Sequence, residues 1–425
     1  MAAVVLGYAA LSRRLDGTIV TAPMVFVTAG LVTGSEALGW LDLSIGSGEV
    51  RVLAEATLTL VLFADASRID IAALRRQVAL PARLLGIGLP LTIVAGAVAA
   101  AAVLGQLTWA EALVLAIVLA PTDAALGQAV VTDPGLPMRV RQGLNVESGL
   151  NDGICVPLLF IALAIGEADE DAITVHHAVS LVLEEIGYGL VGGVAAGLLG
   201  AYVLRLARRH ELVAEEWVQV IPLAAAGLSY GIAAPLGGSG FIAAFVAGLV
   251  FGVLTRTRGG EVTYLVDAGG GVLNAVTLIV FGAVALGPEL HHLDGGTVLY
   301  AVLSLTLVRM LPVALSLIGM HARLPTTAFV GWFGPRGLAS IVFAVIVLET
   351  SELEHRGLII TVVTLTVGLS VYAHGVTAAP LAGTYARWFA SHREPPRMES
   401  ADVHEHRLRR PAVPAHVPAR ERPRG

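Results

Sequence analysis

Residues 143–166 form an apolar run that nevertheless carries Glu147, Ser148, Asn151 and Asp152. A charge near the middle of a bilayer costs at least about 2.5–3.5 kcal/mol on insertion scales, so such groups are rarely kept without use. On a helix, Ser148 and Asp152 are four apart and share a face, while Glu147 and Asn151 share the next one. A second apolar run, residues 114–120, breaks into Pro121-Thr122-Asp123. The oxygens of Asp152, Ser148 and Thr122, with the carbonyls freed around Pro121, suit a hard monovalent cation. A free aspartate titrates near about 3.9, and burial lifts a carboxyl by up to about 3–5 units, into the range where protons compete. One buried acid can then hold a proton or a bare cation, but not both. Asp152 is the candidate for that exchange.

The elements that must position these groups are membrane helices. The chain has 425 residues, of which 56% are hydrophobic and 14% charged, and its mean hydropathy is +0.77. Those values describe an integral membrane protein. Its 48 glycines fit helices that approach closely through small residues. A net charge of -6 argues against nucleic acid, and no phosphate-cradling loop is present. The single cysteine, Cys155, excludes a disulfide framework and a cysteine-based metal site. All 27 basic residues are arginine, a bias given no functional weight. No cleavable signal is expected, because the first apolar run lacks a basic start.

Apolar length predicts about thirteen spans, near 1–12, 18–34, 50–65, 84–105, 110–131, 143–166, 178–204, 216–236, 240–254, 264–287, 297–320, 326–348 and 357–378. Arginines fall in alternate connections: Arg13 and Arg14; Arg68, Arg75, Arg76 and Arg83; Arg139 and Arg141; Arg205, Arg208 and Arg209; Arg256 and Arg258; Arg323. The intervening connections contribute only Arg51 and Arg356. The positive-inside rule then puts the arginine-rich loops and the C-terminus in the cytoplasm and the N-terminus outside. The first segment is shorter than the roughly 17–25 residues of a full span, so it is either short or begins further upstream. Residues 381–425 read as a disordered cytoplasmic tail following a transmembrane domain over 1–380.

Spans one to six and eight to thirteen pair as two halves inserted in opposite senses. The fifth span, broken at Pro121-Thr122-Asp123, then matches the twelfth, broken from Gly331 through Gly334-Pro335-Arg336-Gly337. Interrupted helices at matching places in inverted repeats mark a transporter's binding site. The predicted fold is therefore all-α, with inverted repeats and two crossed, interrupted helices.

Pro121-Thr122-Asp123-Ala124, Glu147-Ser148-Gly149-Leu150-Asn151-Asp152-Gly153 and Gly334-Pro335-Arg336-Gly337 together resemble the NhaP-type sodium/proton antiporters of the monovalent cation/proton antiporter-1 family, over roughly residues 18–380. The resemblance implies exchange of Na+, or Li+, for H+ by alternating access, with no cofactor and no metal beyond the transported ion. It also implies a core of spans four to six and eleven to thirteen, a scaffold from the rest, and a homodimer in the cell membrane. Asn151 before Asp152 is the pairing associated with electroneutral exchange. Glu147 is expected to pair with Arg309 of span eleven, and Arg336 to offset the charge of the half-helix ends. Asp123 either arranges the cation site or simply caps a half-helix. Glu55 of span three is a candidate acid of the ion path.

Asp65 and Asp267, near span ends, read as wetted entrance groups. His176-His177 and His291-His292 fall in predicted outer loops and make weak metal candidates, and His374 reads as a packing histidine with pH sensing as the alternative. A potassium/proton exchanger of the same fold is the nearest rival. A channel lacks a filter sequence. An intramembrane aspartyl protease would require Asp123 and Asp152 to share a proton.

Overall fold

The computed structural model describes residues 1–15, 18–41, 43–69, 79–170, 175–255, 262–291, 293–392 and 398–400. The loop arginines Arg75, Arg76, Arg256 and Arg258, and the tail from 401 on, lie outside the described residues. All described secondary structure is helical. In order, the helices are α1 (Ala2–Leu15), α2 (Ala22–Thr33) and α3 (Gly48–Ser67), α4 (Ala79–Val103), α5 (Trp109–Val118), α6 (Gln128–Thr132), α7 (Met138–Glu170) and α8 (Val175–Arg209). There follow α9 (Val220–Ala233) and α10 (Gly240–Thr255), α11 (Tyr264–Glu289) and α12 (Gly295–Ser316), α13 (Leu324–Trp332), α14 (Leu338–Thr350) and α15 (Arg356–Ser391). They fall on the thirteen predicted segments, with span five divided into α5 and α6 and span twelve into α13 and α14.

Among the described residues, seven helices are long and apolar enough to cross a membrane, and α2, α5, α10 and most of α14 are shorter apolar helices. α1, the segment too short for a full span, buries none of its residues. Two wide π-turns, Leu84–Gly88 and Gly282–Leu286, come just ahead of Pro90 and Pro288. A proline lacks its N–H and clashes with the preceding turn, and the widened turn accommodates it.

Local signals fix the ends of the helices that matter. Thr108 starts α5 with a capping box: its hydroxyl accepts from Glu111 N, and the Glu111 carboxylate accepts from Thr108 N. α5 stops short of Pro121, and nine residues separate it from α6. The apolar core gathers around this break, joining Val114–Ala120 chain atoms to Leu338, Val342 and Val345 of α14 and Val363 and Val367 of α15.

The predicted boundary at residue 380 is corrected. α15 runs through Pro380 to Ser391, because its last turns are packed rather than solvated. Tyr385 stacks on Phe329 of α13 with ring centroids 4.3 Å apart, its hydroxyl shares a 2.8 Å bond with Thr326, and Trp388 stacks on Tyr385. Further on, Glu399 is buried, 3.8 Å from Arg323. The arginine- and proline-rich composition of this region hid those contacts. The loop expected at His176-His177 is also corrected: α8 already begins at Val175.

Candidate functional site

The two interrupted spans meet at their breaks, where Asp123 N bonds Pro335 O, and many of the backbone groups released there have partners. Unwound backbone survives at membrane depth only when protein or enclosed water satisfies it. Val118 O accepts from the Ser340 hydroxyl at 2.7 Å. Ala120 O and Pro121 O accept from Arg336 Nη1 at 3.2 and 3.4 Å, and Thr122 O accepts from the Ser148 hydroxyl at 2.6 Å. On the donor side, Asp123 N bonds Pro335 O at 2.8 Å, Ala124 N bonds Ser148 Oγ at 2.8 Å, and Arg336 N bonds Ser370 Oγ at 2.7 Å.

Asp123 ties the two breaks together. Its Oδ1 accepts from Ala125 N at 2.7 Å, and its Oδ2 accepts from Leu338 N, the first residue of α14, at 3.2 Å. It therefore caps within its own break and also at the half-helix of the opposite span. The α14 N-terminus supplies the partial positive charge that such a carboxylate seeks.

α7 lies against this crossing and carries the acid-rich face. Ser148 grips both sides of the Thr122–Asp123 peptide region, and Asn151 Nδ2 donates to Thr122 Oγ1 at 2.8 Å. Asp152 follows directly, 8% exposed and one turn beyond Ser148. It is buried beside the break and does not face lipid. Both Asp123 oxygens accept backbone N–H groups of the two breaks.

One turn before Asn151, Glu147 meets Arg309 of α12. Arg309 Nη1 and Nη2 donate to Glu147 Oε1 and Oε2 at 2.6 and 2.9 Å, with each side chain 2% exposed. This two-point geometry satisfies both carboxylate oxygens, which a buried pair requires if desolvation is not to dominate. Arg336 is fully buried, and its Nε and Nη2 have no hydrogen-bond partner among the described residues. Its positive charge thus stands at the crossing, spread over carbonyls instead of neutralised by a carboxylate.

Two glycines of the Gly-Pro-Arg-Gly string have a specific use. A Cβ on Gly334 would lie 2.3 Å from Arg309 Nε, and one on Gly337 would come within 2.7 Å of Asp123 Cβ. Only a residue without a side chain lets the ion pair and the capping aspartate approach this closely. Sequence reasoning saw the string but not what each glycine admits.

Glu55 is placed elsewhere. Its Oε1 accepts from Arg51 Nε at 2.8 Å, the i,i+4 partner on its own helix. The α3 carboxylate beside α7 is Asp65, whose Cβ is 3.7 Å from the Cβ position of Gly149. Ten residues separate Asp65 from Glu55, roughly 15 Å of helix. Asp65 lies on the face of α3 that carries the buried Leu58, Val61 and Leu62. Glu55 shares that face one to two turns earlier, so the apolar pattern does not tell the two acids apart. Arg68 bridges Asp65, at 3.8 Å, and Asp267.

His374 is buried, with Nε2 2.9 Å from Trp332 O and Nδ1 3.0 Å from Ser370 O, so it packs α15 onto the span-twelve break. His291 contacts Glu36 at 3.3 Å; His292 lies outside the described residues. A shallow pocket lined by Thr122, Asp123, Ser148, Val131, Leu144 and Phe333 reaches the crossing. It approaches from the side where Arg139 and Arg141 open α7.

The family model described as "Sodium/hydrogen exchanger, transmembrane" matches residues 1–383. The K(+)/H(+) antiporter NhaP of Alkalimonas amylolytica is 27% identical over 341 residues, covering 79% of this chain and 57% of that protein. The Na(+)/H(+) antiporter 2 of Zygosaccharomyces rouxii is 26% identical over 269 residues, 58% of this chain and 32% of that protein. The chain therefore spans between about a third and three fifths of these relatives' length. The solved structure of the sodium proton antiporter MjNhaP1 from Methanocaldococcus jannaschii superposes with a TM-score of 0.70 at 20% identity, covering 91% of this chain and 96% of that one. That likeness concerns the fold.

Proposed function

The chain belongs to the transmembrane sodium/hydrogen exchanger family, and we propose that it is a secondary transporter, not an enzyme, exchanging one monovalent cation for one proton, with Asp152 binding each in turn. The observation that carries this reading is the placement of Asp152. It is buried, and it stands one turn from a serine clamped to the interrupted backbone of span five. Thr122, Ser148 and Asn151 form the oxygen-bearing surround, and Asp65 adds an acid on the scaffold side. Asp123, Glu147, Arg309 and Arg336 hold the crossing in shape. Glu147 is matched by Arg309 and Asp123 is held by the two breaks, and exchange is assigned to Asp152. One carboxylate swapping H+ for one cation moves no net charge.

Spans four to six and eleven to thirteen would move as the transport core, about residues 79–170 and 295–391, against the remaining helices. The arginine distribution supports a cytoplasmic C-terminus and an external N-terminus in the cell membrane. The homodimer rests on the family resemblance. Sodium is the first ion proposed. Potassium is the second, favoured by the name of the relative that covers 79% of this chain.

Purified protein in sealed liposomes with an internal pH dye tests the reading. Added Na+, Li+ or K+ should drive proton movement that dissipates on adding a proton carrier. Proton flux indifferent to all three ions would contradict it.

A further inference from the structure

The arginine bias leaves two exceptions on the outer side, and Arg51 is one that the exchange site does not use. It stands in the first turns of α3, where the helix dipole disfavours a cation. Glu349 stands in the last turn of α14, where the dipole disfavours an anion. Each is on the wrong end of its own helix and needs a partner. They supply one another: Arg51 Nη1 lies 3.7 Å from Glu349 Oε2, while Arg51 Nε stays bonded to Glu55 at 2.8 Å.

The partners belong to different bodies. Arg51 and Glu55 are on α3, whereas Glu349 is on the second half of interrupted span twelve. Beneath the pair an apolar cavity separates α3 and α11 from α14 and α15, lined by Val50, Ala54, Phe281, Ile341 and Val345, with Thr277 and Thr364 as its hydroxyls. It lies on the opposite side of the crossing from the pocket that reaches Thr122 and Asp123. The two cavities thus flank the crossing, a polar one reaching Thr122 and Asp123 and an apolar one under the Arg51–Glu349 pair.

We infer that Arg51 and Glu349 are the latch of the outer gate, parting each time α14 moves relative to α3 to turn Asp152 outward. The inference rests on the alternating-access reading above. Side-chain exposures of 47% and 22% put the pair where an ion pair is weak, as a contact broken every cycle requires. Glu55 keeps Arg51 matched when Glu349 leaves, so opening strands no cation.

Two measurements test the latch. In a Cys155→Ala background, Arg51→Cys with Glu349→Cys is reconstituted and joined by a short, reducible thiol cross-linker. Cross-linking should abolish cation-driven proton movement, and reduction should restore it. A linked protein exchanging as fast as the reduced one would overturn the proposal, and so would failure of the short linker to join the two sites. The reduced sample and the parent report on exchange itself, so loss of the exchange reading is seen separately. The second measurement needs no transport: labelling of Ala344→Cys, in the lining of that cavity, by a membrane-impermeant maleimide from outside. Adding Glu349→Gln should raise labelling by up to about five-fold, the population shift that losing an exposed pair allows. Unchanged labelling would overturn the latch.

Discussion

Asp123 and Leu338 join the two interrupted helices: the carboxylate of one break accepts the first backbone N–H of the half-helix beyond the other, at 3.2 Å. With Ala125 N on its other oxygen, Asp123 works as a shared cap at the centre of the crossing. Asp123→Asn keeps one acceptor oxygen and turns the other position into a donor facing a donor. One buried N–H is then left without a partner, a loss of about 1–3 kcal/mol. The variant should insert in membranes with a lowered melting temperature in detergent, and an unchanged melting curve would show that the cap contributes nothing.

Glu147 and Arg309 have a different task. Removing one member of a buried pair strands the other and typically costs about 3–5 kcal/mol. Glu147→Ala should therefore lower folded yield and melting temperature sharply. Pairing it with Arg309→Met removes the stranded charge and should recover part of the yield. A Glu147→Ala protein as stable as the parent but inactive would move Glu147 into the exchange site.

The approach of Arg309 to Gly334 yields a steric test. Gly334→Ala puts a methyl 2.3 Å from a guanidinium nitrogen that Glu147 already pins. Overpacking of this kind costs about 1–3 kcal/mol. Gly7→Ala in α1, where a Cβ meets nothing within 4 Å, is the matched control. Thermal stability measured by size-exclusion chromatography after heating should fall for the first and not for the second.

A single exchanging carboxylate carries a consequence for voltage. Exchange rates in liposomes clamped by potassium and valinomycin, with Na+ as the transported ion, should not change with membrane potential. A rate that climbs steadily with potential would require more than one proton or cation per cycle.

Much of this arrangement was legible in the chain. Spans emerge from apolar length, and both breaks are announced by prolines within apolar runs, because a missing N–H and freed carbonyls are local properties. Glu147, Ser148, Asn151 and Asp152 were readable because lipid does not tolerate them idly. What could not be read depends on tertiary approach. Glu55 and Asp65 both lie in an apolar helix, and only the packing of α3 on α7 separates them. The donors of Arg336 to Ala120 O and Pro121 O connect residues more than two hundred apart in sequence. The packed end of α15 was masked because composition reports average polarity, while burial there is decided by Tyr385 and Trp388.

The most direct test is Asp152→Asn, reconstituted beside the parent and assayed for proton movement on adding Na+, Li+ and K+. The amide keeps the volume and loses the titrating charge. Folded, monodisperse protein with no cation-driven proton flux is the predicted result. Retained flux with any of the three ions would contradict the assignment of exchange to this residue.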